Sequence, residues 1–192
     1  MIRIIIALCL WPLSLWADPL PALYDVVGVE VDDTLNIRRL PNASAAQIGT
    51  LPNDARDIEV TAQNDGGTWA RINIGEGHGW VSARYLTRSA NPGKALHCFG
   101  TEPFWSAKLS EGQPLRYTSP DEHHQTSDLG KRIRSANLTD RFALQFGPTL
   151  AMIKRAECSD GMSDRLFGLE ADLLLNRDGT SALLSGCCSI AP

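Results

Sequence analysis

Apolar residues recur at every second position through the first half of the chain: Val27, Val29 and Val31, then Ile58 and Val60, then Ala70, Ile72 and Ile74. A period of two turns one face of a strand to a core and the other to water, so each run predicts a short half-buried strand. Turn formers break the runs at intervals of about ten residues, at Pro41-Asn42, Pro52-Asn53-Asp54, Asn64-Asp65-Gly66-Gly67 and Gly75-Glu76-Gly77. That rhythm predicts a small barrel or sandwich over residues 24–88 and leaves no place for a helix of ordinary length.

Beyond it, Ser89-Ala90-Asn91-Pro92-Gly93-Lys94 is polar and carries both Pro and Gly. The reading places a linker at 89–95 and a second β domain at 96–192. Residues 170–175 and 180–184 flank Asn176-Arg177-Asp178-Gly179, a hairpin turn. Further short strands are expected at 107–109, 115–117, 142–146 and 150–153. Residues 121–128 are polar and read as a loop, and 129–138 fit either a strand or a single helical turn.

Met1-Ile2-Arg3 gives a basic start, residues 4–15 are almost wholly apolar, and Ala17 precedes Asp18 and Pro19. This pattern predicts a secretory signal peptide at 1–17. Its apolar run, about a dozen residues, falls short of the roughly 20 that cross a bilayer as a helix. Leu15 stands where such cleavage sites carry a small residue, which leaves retention as an anchor open. Cleavage predicts a periplasmic or secreted protein with no later membrane span. The whole chain has 192 residues, with 18 Lys and Arg against 22 Asp and Glu. A balance this acidic argues against nucleic acid or anionic lipid as partner.

Cys9 lies in the signal's apolar core, so the remaining cysteines, Cys98, Cys158, Cys187 and Cys188, all fall in the second domain. In an oxidising compartment they are expected to form disulfides. A bond between the neighbours Cys187 and Cys188 would close a strained ring, so Cys98 and Cys158 each pair with one of them, in either order.

Leu35-Asn36-Ile37-Arg38, Ile48-Gly49-Thr50-Leu51, Trp69-Ala70-Arg71-Ile72, Gly79-Trp80-Val81 and Tyr85-Leu86 together resemble a bacterial SH3 domain. The resemblance implies a small barrel that binds or tethers, with a peptidoglycan or protein ligand, and makes Asn36 and Arg38 architectural. Alternation puts Trp69 with Arg71 and Asn73 on the face opposite Ala70, Ile72 and Ile74, leaving Trp69 at least partly outside. Trp69, Trp80 and Tyr85 are the candidate ligand-binding aromatics; the competing role for Trp80 and Tyr85 is to plug the barrel.

In the second half, Gly100-Thr101-Glu102-Pro103-Phe104-Trp105, Cys158-Ser159-Asp160-Gly161-Met162-Ser163-Asp164 and Gly186-Cys187-Cys188 resemble an uncharacterised family of bacterial exported proteins and lipoproteins. Phe104 and Trp105 read as two buried aromatics at a strand start. No catalytic constellation is expected, and no cofactor. His123-His124 reads as a solvated loop and Asp160-Gly161 as turn chemistry, so no metal site is expected either. The whole reads as a mainly β protein, an SH3-like barrel followed by a small disulfide-stabilised β domain. Its expected role is non-enzymatic: an envelope protein binding peptidoglycan or an envelope protein partner. A second reading, from architecture alone, is a secreted inhibitor or stress-response factor acting on an envelope enzyme such as lysozyme.

Overall fold

The computed structural model describes residues 19–177 and 179–191, so the predicted signal peptide and Asp178 of the hairpin turn lie outside the described residues. The chain forms two antiparallel sheets. The first contains β1 (Ala22–Val26), β2 (Thr34–Arg38), β3 (Gln47–Pro52), β4 (Ile58–Gln63), β5 (Trp69–Ile74), β6 (Gly77–Ser82) and β7 (Leu86–Arg88), in the order β3-β2-β6-β5-β4-β1-β7. A single 3-10 turn (Ala83–Tyr85) precedes β7. The sheet wraps around Val26, Leu35, Ile37, Val60, Ala70, Ile72 and Val81, so β4 and β5 bury the positions that their alternation selects.

Val27, Val29 and Val31 do not form the expected strand. β1 ends at Val26, and Gly28 follows at φ +68, in the left-handed region that favours glycine. The chain therefore leaves the sheet there, and Val31 is almost fully exposed.

The second sheet contains β8 (Ala95–Thr101), β9 (Phe104–Ser110), β10 (Pro114–Ser119), β11 (Glu122–Leu129), β12 (Lys131–Arg134), β13 (Arg141–Phe146), β14 (Thr149–Cys158), β15 (Phe167–Arg177) and β16 (Thr180–Ser189). Its order is β11-β10-β9-β8-β16-β15-β14-β13-β12. First strand and last, β8 and β16, lie side by side at the centre, while the two edges, β11 and β12, are successive pieces of one stretch of chain separated by Gly130. The sheet must curl to bring its edges that close, and it forms a nearly closed barrel. At the seam the Gly130 N–H donates to the Gln113 carbonyl at 2.8 Å, and its carbonyl accepts from the Gly112 N–H at 2.8 Å. A Cβ on Gly130 would run into the Ser110 carbonyl and the Phe146 ring. Trp105, Leu109, Leu115, Phe146, Ile153 and Leu173 are among the side chains that fill the interior.

Residues 121–128, expected as loop, fall almost entirely in strand β11 (Glu122–Leu129), and β12 shows the ambiguous stretch that follows to begin as strand. β11 is held by backbone pairing with β10 and by the Leu115 N–H donating to Thr126 Oγ1 at 3.0 Å. Neither bond leaves an apolar trace in the sequence. Phe104 also departs from expectation: Trp105 is 4% exposed and Phe104 54%, because successive residues of β9 face opposite sides.

The same alternation separates the neighbouring cysteines. Cys188, opposite Cys98 in the β16–β8 register, turns into the barrel and bonds Cys98 across 90 residues of sequence. Cys187 points the other way and bonds Cys158, at the end of β14, across 29 residues.

The sheets are joined by more than the 89–94 connection. Between β14 and β15 the chain crosses to the β5–β6 turn, where the Leu166 N–H donates to Asn73 Oδ1 at 3.0 Å and the Asp164 N–H to the Glu76 carbonyl at 2.8 Å. His78 Nδ1 lies 2.7 Å from the Asp164 carbonyl, and Arg165 bonds the Gly75 carbonyl. Arg71, expected on an open face, is only 6% exposed, paired with Glu157 at 2.6 Å and with Thr61 Oγ1 at 3.1 Å. Leu23 packs into the second core, and Glu59, opposite it in the β1–β4 register, accepts bonds from Ser189 Oγ and from the Ile190 N–H.

On the chain-entropy account, opening the Cys98–Cys188 loop costs roughly 4 to 5 kcal/mol and opening Cys158–Cys187 roughly 3 to 4. Cys98→Ala/Cys188→Ala should therefore lower the urea midpoint more than Cys158→Ala/Cys187→Ala, and the reverse order would place the larger constraint at the crossing segment. Glu59 supplies a second expectation. Burial pushes its carboxyl above the ordinary value, against the pull of its bonds from Ser189, Ile190 and Ala191. A raised folded pKa means that Glu59 favours folding most below the unfolded carboxyl pKa and loses that contribution as pH rises through the folded value. Glu59→Gln should thus gain in melting temperature relative to the parent protein between about pH 4 and pH 7; a difference that is flat with pH overturns this.

Candidate functional site

The first sheet carries an open cleft of about 500 Å³ between the 28–38 stretch and the 82–85 stretch, with Trp69 at its edge. Trp69 is placed by the turn before it. The Asn64 side chain accepts the Trp69 N–H at 2.9 Å, the Asn64 N–H donates to the Trp69 carbonyl at 3.1 Å, and Gly67, at φ +64, makes the reversal possible. Trp69 begins β5 opposite Ser82, which also lines the cleft.

Tyr85 comes from the 3-10 turn. Its carbonyl accepts the Val27 N–H at 2.9 Å, fixing the turn against the end of β1. The Arg84 guanidinium lies 4.4 Å from the Tyr85 ring centroid and bonds its hydroxyl. On β2, Asn36 and Arg38 reach the same cleft, and Arg38 Nη1 donates to the Ala45 carbonyl at 2.8 Å, tying the 39–46 loop to the barrel. Glu30 and Asp33 also line it, so two carboxylates and two guanidinium groups share the space with an indole and a phenol ring. Such a surface stacks flat apolar faces while offering donors and acceptors of both signs at its rim, which suits an extended peptide or a sugar chain.

Trp69 and Tyr85 are therefore brought together, whereas Trp80 is not among the residues lining the cleft. In the β5–β6 register Trp80 sits opposite Arg71, two positions further along the hairpin than the Trp69–Ser82 pair, on the part of the outer face that the second barrel approaches. It is half-buried. Sequence spacing could not separate these positions, because alternation gives Trp69 and Trp80 to one face and says nothing of what covers that face. The same gap hid the cleft's charged rim: Glu30, Asp33 and Arg84 lie in turns that carry no period.

All four predicted cysteines are paired, away from the cleft. His123 and His124 fall on β11, a strand and not a loop, with His123 Nδ1 3.3 Å from Thr118 Oγ1. Asp160 acts as a turn organiser, accepting the N–H groups of Met162 at 3.0 Å and Ser163 at 2.9 Å, while its carbonyl accepts the Thr101 hydroxyl at 3.0 Å. Among the described residues no three His, Cys, Asp or Glu side chains gather as metal ligands would. No helix among the described residues is long and apolar enough to cross a membrane.

No curated protein and no solved structure matches the chain. The resemblance drawn from the second half's motifs rests on those motifs alone. For the first half, the family model described as "Bacterial SH3 domain" matches residues 33–87, a stretch that runs from β2 through the 3-10 turn and contains Trp69, Arg84 and Tyr85, so the chain is similar to that family across the part that builds most of the cleft.

Proposed function

We propose that this is an exported, non-enzymatic protein of the bacterial cell envelope whose first barrel binds peptidoglycan, or a protein partner, in the Trp69–Tyr85 cleft. The observation that carries the reading is the convergence of those two rings, beside charges of both signs, on the stretch similar to bacterial SH3 domains. Two cross-links among four cysteines suit an oxidising compartment outside the cytoplasm. The second barrel covers the far end of the β5–β6 hairpin and leaves the cleft end open, which suits a role as a rigid mount for the binding barrel.

Co-sedimentation of the purified protein with isolated peptidoglycan sacculi tests this. Aromatic anchors dominate such interfaces, so Trp69→Ala and Tyr85→Ala should each weaken binding by about 1 to 3 kcal/mol, while Trp80→Ala, outside the cleft, should bind as the parent does. If none of the proteins binds sacculi, the peptidoglycan reading fails and an envelope protein becomes the ligand to seek. If Trp80→Ala alone loses binding, the contact surface lies elsewhere on the hairpin.

A further inference from the structure

Between the two sheets, apart from the aromatic cleft, lies a cavity of about 150 Å³ with walls from both. The first sheet and the connection contribute Arg88 and Asn91; the second barrel contributes Arg132, Phe142 and Arg155 above a floor that includes Leu169. Three guanidinium groups thus line it, and none of the described lining residues is a carboxylate.

Two of the cations lie close enough for each to disfavour the other's charge. Arg132 is exposed over most of its length but stacks on the Phe142 ring, 3.6 Å from its centroid; partial burial and then the neighbouring Arg155 lower its pKa, with Glu111 opposing. Arg155 is fixed through its backbone, whose N–H donates to the Asp140 carbonyl at 2.7 Å, and through Nη1, 3.4 Å from the Thr139 carbonyl. Its Nε is buried and has no hydrogen-bond partner among the described residues. A buried donor left unpaired costs roughly 1 to 3 kcal/mol, and structures seldom tolerate one without a reason. A guanidinium offers a planar fork of N–H donors that matches two oxygens of one oxyanion. The cavity has several times the roughly 30 Å³ that one water occupies in the liquid, so an ion of a few heavy atoms fits.

We propose that the junction cavity is a binding site for a small oxyanion, a phosphate or a carboxylate, held between Arg155 and Arg132. Such a ligand offsets the like-charge repulsion, satisfies the Arg155 fork and ties the second barrel to the connection that leads out of the first. The site is independent of the aromatic cleft, and neither proposal requires the other.

The test is calorimetric titration of the full mature protein with inorganic phosphate, and separately with acetate, at fixed ionic strength. Saturable 1:1 binding of at least one is expected, and which one binds assigns the ligand class. Arg155→Met and Arg132→Met should each weaken it about 10-fold or more. Lys154→Met removes the same charge from the adjacent position on the opposite face of β14, where Lys154 pairs with Glu170, and should leave the affinity within about twofold. If near-UV circular dichroism shows that Arg155→Met has lost its fold, Arg155→Lys decides, since it keeps the charge but not the fork, and the same 10-fold loss is expected. No saturable binding of either anion, or equal affinity in the folded Arg155 variant and the parent, overturns the proposal.

Discussion

Two adjacent cysteines on one strand cannot face the same way, and most of the second half follows from that. Cys188 turns inward and bonds Cys98 across the β8–β16 pair, the one pairing in the barrel between strands distant in sequence. Every other neighbouring pair in that sheet is a hairpin or meander contact, which loop closure makes comparatively cheap. The cross-link therefore sits on the pairing that the chain would find hardest to close. Cys187 turns outward and fixes Cys158, the residue from which the chain departs toward the first sheet. One dipeptide thus both closes the barrel and anchors the segment that docks it.

What that segment docks on is the β5–β6 hairpin, and the hairpin serves two ends. At its turn, Asn73, Gly75, Glu76 and His78 meet residues 164–166 of the second barrel. At its open end, Trp69 and Ser82 edge the cleft. Asn73 lies four positions along the strand from Trp69, on the order of 13 Å, enough to keep the cleft clear of the docked barrel. Between them Arg71 sinks beneath the second barrel and meets Glu157. The Glu157 side chain is 60% exposed, so the pair fixes geometry more than it supplies stability.

How much of this could be read in advance depends on whether a feature writes itself into a side-chain period. The strands β4, β5 and β15 do, because one face is core and the apolar residues mark it. The all-β class was legible for the same reason, whereas the disulfides were read from four cysteines in an exported chain and the turns from their Pro, Gly, Asn and Asp residues. β11 was not, since its side chains are polar on both faces and its stability lies in backbone bonds to β10. Val27, Val29 and Val31 alternate without being a strand, because Gly28 turns the chain out of the sheet after Val26. In the cleft, Trp69 and Tyr85 could be picked out as aromatics near a barrel surface. Which of the aromatics line the cleft could not, because alternation gives Trp69 and Trp80 to one face.

The two sheets also meet away from the segment that docks on the hairpin. Leu23, a residue of β1 in the first sheet, packs into the core of the second, and a leucine buried in this way is worth about 1.5 to 3 kcal/mol relative to exposure. Beside it Glu59 accepts bonds from Ser189 and Ile190 of the second half, and those bonds are lost if β16 pulls away from the first sheet. Small barrels have modest cores and little stability to spare. Each half here completes its burial and its hydrogen bonding only against the other, and the orientation of the aromatic cleft relative to the second barrel is fixed as a consequence.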